Sequence, residues 1–174
     1  MSKGEIIGYK CFKEGLQTNP GMTMELGKEY ISIAPPKFRS SGFHMCERLE
    51  DTLRYFDSFT QPIDICKVIG YPEYMKYEDE YYGYYDMYSC QRILLTKKLT
   101  RKEIIDEARH MCDYRINRFL SLYKLMPSEV EEFIEKYSDG YHDYILYIIQ
   151  YYQNLPKELS TKITKKIKKY DCIK

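Results

Sequence analysis

The stretch CQRILLTKKLTRKEIIDEARHMC, residues 90–112, holds the change of period on which the fold reading turns. From Cys90 to Leu99 it reads as a β-strand. From Thr100 onward the apolar residues Ile104, Ile105, Ala108 and Met111 or Cys112 fall on one face of a helix, and Thr100 with Glu103 forms a capping-box signature. Strand-like patterns lie before this point and helical patterns after it.

Toward the N-terminus, IDICKVIGY (63–71) alternates Ile63, Ile65, Lys67 and Ile69 on one face with Cys66 and Val68 on the other. EIIGYKCF (5–12) is rich in β-branched and aromatic residues and precedes a turn-rich segment, which predicts a strand and then a loop. MTMELGKEYISIA suggests a hairpin turning near Gly27 and Lys28, stopped by Pro35 and Pro36. Phe43, His44 and Met45 form a short strand after Gly42. The following ERLEDTLRYFDSF spaces Leu49, Leu53 and Phe56 as one face of a helix over 47–59.

Toward the C-terminus, RINRFLSLYKL predicts a helix broken by Pro127. Ser128 with Glu131 makes a second capping box for a helix carrying Val130, Phe133, Ile134 and Tyr137, ending at Asp139 and Gly140. YHDYILYIIQYY is apolar nearly all round and is expected to be the most buried helix. After Pro156, Leu159, Ile163, Ile167 and Tyr170 make one stripe. The expected fold class is therefore α+β. An antiparallel or mixed sheet with one helix occupies residues 1–99, and a helical region, 100–174, packs on it as part of one folded unit.

At 174 residues the chain is long enough for one well-formed core, and its 27 Lys+Arg against 26 Asp+Glu exclude the global field of a dedicated nucleic-acid binder. No run approaches the roughly 18 apolar residues of a membrane span. The start, MSKGEIIGYK, lacks a signal-peptide core, so a soluble, unexported protein is expected. Six cysteines lie tens of residues apart with no CxxC pair. That spacing gives no support to a zinc site, no metal is expected, and buried free thiols are the expectation. The sequence holds no GxxxxGK[ST], GxGxxG, GxSxG or HExxH motif, and no cofactor is expected from it.

Residues 71–88 hold eight tyrosines and five acids. Such a surface is amphipathic, because each ring offers a large area and a hydroxyl. The segment is read as a packed Ω-type loop or an interaction surface, with Tyr81, Tyr82, Tyr84 and Tyr85 as the candidate binding residues. From Leu155 onward the chain carries seven lysines and two acids. The acidic tyrosine segment and the basic tail together suggest a protein partner or self-association. The aromatics lie among acids instead of lysines, which argues against nucleic acid, and the tail's small apolar stripe argues against a membrane surface. Of the three histidines, His110 and His142 sit among charged helical residues. His44 stands between a Ser/Gly turn and a helix start, where an imidazole and backbone N–H groups suit a phosphate or a ribose hydroxyl.

The series GYKCF (8–12), ELGKEY (25–30), GFHMCERLEDTLRYFD (42–57), ICKVIGY (65–71), YYGYYDMY (81–88), LTRKEII (99–105) and RFLSLYKLMPSEVEEF (118–133) resembles a multi-copy family of uncharacterised proteins of mimivirus-like giant DNA viruses. The shorter pattern of GYK, GK and GFH in the N-terminal half is similar to a small domain of unknown function in phage proteins. The first resemblance implies a viral protein in the host cytoplasm or the virion. The order of an opening strand and a GFH strand leading into a helix also resembles ADP-ribosyltransferase-like folds, in which a glutamate after a later strand orients NAD. Here that role would fall to Glu73, Glu78 or Glu80. Two functional expectations follow. The first is a non-enzymatic interaction or accessory module; the second is a nucleotide- or NAD-binding enzyme centred on Tyr9, Lys10 and His44.

Overall fold

The computed structural model describes residues 4–19, 21–37, 40–78, 86–137 and 143–171. They fall into two compact units, Met1–Thr100 and Arg101–Lys174. The fold is α+β. The first unit holds β1 (Ile6–Lys13), β2 (Glu29–Ile31), β3 (Phe43–Cys46), α1 (Leu49–Thr52), β4 (Ile63–Glu78) and β5 (Asp86–Lys98). The second holds α2 (Arg101–Ala108), α3 (Asp113–Leu122), α4 (Pro127–Lys136), α5 (Asp143–Tyr152) and α6 (Lys157–Asp171).

Every strand pairing is antiparallel. β4 pairs with β1 along Ile63–Gly70 and with β5 from Cys66 to Glu78, β5 pairs with β3, and β1 meets β3 at Tyr9↔Cys46. These four pairings return to their starting strand, so the sheet closes on itself and only β2, against β5, stands outside the ring. Closure gives the sheet a narrow inner face. The inner cluster is Phe12, Met24, Met45, Cys66, Val68, Tyr88, Cys90, Ile93 and Leu95. On β4 the core cluster takes Cys66 and Val68, while on the other face Ile65 is fully buried and Ile63, Lys67 and Ile69 are half-buried. Large and small side chains share this interior, and space is short where glycine stands. A Cβ on Gly70 would lie 2.5 Å from Cys90 Sγ and 2.7 Å from Met45 Sδ. A Cβ on Gly8 would overlap the Cys46 carbonyl oxygen across the β1–β3 seam.

Several sequence expectations are corrected. The segment Tyr71–Glu78 is strand, not Ω-loop, because its backbone continues the β4–β5 ladder as far as Glu78↔Asp86. Tyr81, Tyr82, Tyr84 and Tyr85 lie outside the described residues, as do His142 and the expected helix stop at Asp139–Gly140. The hairpin at Gly27 does not form. Gly27 N–H donates to Leu95 O at 2.7 Å and β2 is the outer strand of β5. The helix expected over 47–59 is one turn of α-helix, α1, followed by a 3₁₀ turn, Leu53–Tyr55.

In the helical unit, Ile116, Phe119 and Leu120 of α3, Val130, Phe133 and Ile134 of α4, Ile145, Leu146 and Ile149 of α5, and Leu159, Ile163 and Ile167 of α6 are buried. α5 is not buried all round, because Tyr147, Tyr151 and Tyr152 face outward. Tyrosine allows this, since its hydroxyl accepts solvent where a leucine would not. The cap of α4 forms two residues earlier than the sequence suggested, at Met126 and Glu129 instead of Ser128 and Glu131. Met126 N–H donates to the Glu129 carboxylate at 2.6 Å, and the same carboxylate binds Arg101 Nη2 at 2.7 Å. Buried Gln153 is fully used: Nε2 donates to Leu120 O and Tyr123 O, and Oε1 accepts from Leu125 N–H. Among the described residues, no helix is long and apolar enough to cross a membrane.

The seam between β1 and β3 generates the first prediction. Gly8→Ala forces a methyl against the Cys46 carbonyl and should cost about 1–3 kcal/mol by overpacking. Urea unfolding measures it, and a midpoint equal to wild type would mean that the seam has room to open.

Candidate functional site

A cavity of about 500 Å³ opens at the β1–β3 seam, lined by Lys10 and Cys11 of β1, Phe43 and His44 of β3, and residues of three connecting segments. Its volume falls in the range of small-molecule sites, and its walls are mostly apolar with a few polar groups, as such sites require.

The loop after β1 supplies Thr18, Asn19 and Met22. It is held by two devices. Lys13 and Gln17 exchange backbone hydrogen bonds at 2.9 and 3.3 Å. Buried Asp64 of β4 accepts from Gly15 N–H at 2.9 Å and Leu16 N–H at 3.2 Å, and its other oxygen meets Lys98 Nζ at 2.6 Å. The segment before β3 supplies Ser40 and Gly42. Gly42 has φ +87°, and a Cβ there would stand 2.6 Å from Ser89 Oγ and 2.9 Å from Cys90 O. Only glycine lets this turn lie against β5. The turn after β3 supplies Thr52, Tyr55 and Phe56, and the Tyr55 hydroxyl is hydrogen-bonded to Met87 Sδ.

Lys10 and His44 are brought together. Lys10 Nζ donates to the His44 carbonyl oxygen at 2.7 Å and lies 5.5 Å from the Phe12 ring centroid. Burial pushes the Lys10 ammonium down to about 8, and only the nearby thiols of Cys46, Cys11 and Cys90 act in the opposite direction. Burial also lowers the His44 imidazole below its usual range, and the Lys10 charge adds to this. A hydrogen bond to the Lys37 backbone partly offsets both, and Nε2 of the ring has no hydrogen-bond partner among the described residues. At neutral pH the site therefore holds a neutral imidazole beside a lysine that is charged but close to giving up its proton. Cys11, Cys66 and Cys90 are pushed up to about 12 by burial, so these thiols stay protonated and behave as small apolar groups.

Of the three candidate catalytic residues, the structure assembles Lys10 and His44 but not Tyr9. Tyr9 is not among the cavity's lining residues; it stands in register with Cys46 and Lys67, with Lys67 Nζ 5.8 Å from its ring centroid. Glu73 and Glu78 lie on β4, Glu80 lies outside the described residues, and no carboxylate is among the described residues that line the cavity. Sequence reading missed Thr18, Asn19, Ser40, Thr52, Tyr55 and Phe56. The nearest signal was the polar, turn-rich run after Phe12, because loop residues gather into sites when a sheet fixes their ends. Among the described residues, no group of three or more His, Cys, Asp and Glu side chains is arranged to hold a metal ion.

A family described as a domain of unknown function (DUF7666) matches residues 6–107, more than half of the chain, and every residue lining the cavity falls within that range. No curated protein and no solved structure matches.

Lys10 makes stability depend on pH. It releases its proton near pH 8 in the folded protein and near 10.5 in the unfolded chain. Between those values the unfolded chain binds more protons, so the cost of enclosing the charge is complete below pH 8 and is relieved as pH rises to 10.5. The stability of wild type relative to Lys10→Met should therefore rise by up to ~3 kcal/mol between pH 7 and pH 10.5. Urea unfolding of both proteins at the two pH values gives this difference, in which the titration of the tyrosines and thiols cancels. A difference that does not change with pH would mean that the amine is solvated.

Proposed function

The chain belongs to the DUF7666 family, and from this membership and the cavity within the matched residues we propose that it binds a small ligand at Lys10 and His44. The observation that carries the reading is a cavity of about 500 Å³ whose one lining cation, Lys10, has no carboxylate partner among the described residues. An enclosed cation without a counter-charge favours an anionic or strongly electronegative group on the ligand. Phe43, Tyr55 and Phe56 offer rings for a planar part, and Thr18, Asn19 and Ser40 offer hydrogen bonds to hydroxyls. A nucleotide combines these three features and is the class to test first. The support is for binding; an NAD-dependent transfer would further require a carboxylate brought to the ligand.

Thermal unfolding with AMP, ADP and NAD tests the proposal. A ligand at 100 times its dissociation constant adds about 2.7 kcal/mol, roughly 5 °C for a chain of this size. The shift should shrink in His44→Ala and Lys10→Met. For an anionic ligand it should also weaken above pH 8, where Lys10 loses its charge. No shift with any nucleotide, or equal shifts in all three proteins, would overturn the nucleotide reading.

A second reading is supported by the exposed Tyr74 and Met75 on the arm of β4 that leads to the tyrosine-rich segment. In it the protein is a non-enzymatic interaction module of a giant virus, acting in the infected cell through Tyr81, Tyr82, Tyr84 and Tyr85. Serine at all four positions should abolish capture of its partner while leaving the melting temperature unchanged. Full capture by the folded variant would remove this reading.

A further inference from the structure

We propose that Lys10 is a nucleophile that condenses with an aldehyde or ketone on the ligand, forming an imine in the cavity at the β1–β3 seam. The inference rests on the ligand-binding reading above and adds the chemistry of the ligand's reacting group.

Three observations carry it. Lys10 is one of the residues lining a cavity of about 500 Å³, a volume that suits a small carbonyl compound. Among the described residues its Nζ donates one hydrogen bond, to the His44 carbonyl oxygen at 2.7 Å, and no carboxylate holds it as a permanent cation. As a free amine it keeps that hydrogen bond and still presents a lone pair. Its Nζ lies 5.5 Å from the Phe12 ring centroid, and Cys11, Phe43 and Phe56 add apolar groups to the cavity lining; burial there gives the ammonium form poor solvation. The titratable groups facing the amine are the His44 imidazole and the thiols of Cys11, Cys46 and Cys90. Burial keeps Cys11 and Cys90 protonated and His44 is held toward its neutral form, so these three of the four groups supply no anion to fix the lysine charge at neutral pH.

The step balances without an oxidant or reductant. The Nζ lone pair forms a bond to the carbonyl carbon as the C–O π bond breaks, and a proton moves from nitrogen to oxygen. The C–O bond then breaks, the second Nζ proton leaves, and water departs with both protons, leaving a C=N bond. With Lys10 near 8, its neutral fraction at pH 7 is about 300-fold that of a lysine at the ordinary 10.5.

Trapping at pH 7 tests the proposal. The whole chain is incubated with 4-carboxybenzaldehyde and sodium cyanoborohydride, which reduces an imine to a stable secondary amine, and labelling at each lysine is followed by peptide mapping. Lys10 should be labelled at least tenfold faster than exposed Lys102 and Lys157 in the same molecule. The fast phase should saturate with probe, disappear in Lys10→Arg, and be slowed by 4-carboxybenzyl alcohol, which has the shape but no carbonyl. The comparison within the wild-type chain stands even if the variant does not fold. Labelling of Lys10 at or below the rate of Lys102 and Lys157 overturns the proposal. If the alcohol still raises the melting temperature in that case, the ligand-binding reading survives the loss of the imine; if it does not, and the nucleotides also fail, both fall.

Discussion

The closure of the sheet at the β1–β3 seam is the constraint on which the first unit depends. β4 and β5 form a long antiparallel pair, and β1 and β3 would be its free edges if they did not meet at Tyr9↔Cys46. Two strands can meet there only if one of them carries no side chain at the crossing, and Gly8 is that residue. Closure removes two exposed edges from the sheet, which otherwise invite pairing with other chains. It also brings side chains from facing strands close together, which is why glycine stands at position 70, opposite Cys90 and Met45.

The same closure produces the electrostatics of the site. With β1 and β3 drawn together, the half-buried Lys10 side chain lies against the His44 carbonyl and the Phe12 ring. The thiols of Cys11 and Cys90 are among its titratable neighbours, and a thiol pushed up to about 12 cannot neutralise an ammonium at neutral pH. Among the described residues, the Lys10 cation therefore has no carboxylate partner of the kind that burial normally demands. Such an arrangement costs stability in the empty protein and is relieved by an anionic ligand or by loss of the proton. The two routes differ in what they leave behind: an anion holds the ammonium form, whereas loss of the proton leaves a free amine with a lone pair.

Sequence pattern made the α+β class legible because each half keeps one period over a long run. The strand IIGYKCFK and the stripe Leu159, Ile163 and Ile167 needed nothing beyond their own spacing. The continuation of β4 through YPEYMKYE was not legible, since Tyr, Glu and Lys alternate there without an apolar face, and what holds that arm is its hydrogen-bonded partner β5. The failed hairpin at Gly27 has a similar cause: the local turn signal is real, but β5 offers the better partner. His44 and Lys10 could be singled out because the GYK and GFH corners concentrate polar groups at strand positions. Their neighbours Thr18, Asn19, Thr52 and Tyr55 could not, because only the closed ring brings those segments to one place.

The family match ends at residue 107, just short of the end of α2, while the cavity lies wholly within the first unit. The helices beyond it have their own core and their own polar ties. Arg101 bridges to Glu129 and to Lys124 O, and Gln153 satisfies three backbone groups at the end of α3 and beyond. Neither set of interactions draws on the sheet. A ligand site assembled from β1, β3 and their connecting loops therefore needs no side chain of the helical unit for its lining, and the chemistry argued for Lys10 belongs to the part of the chain that the family defines.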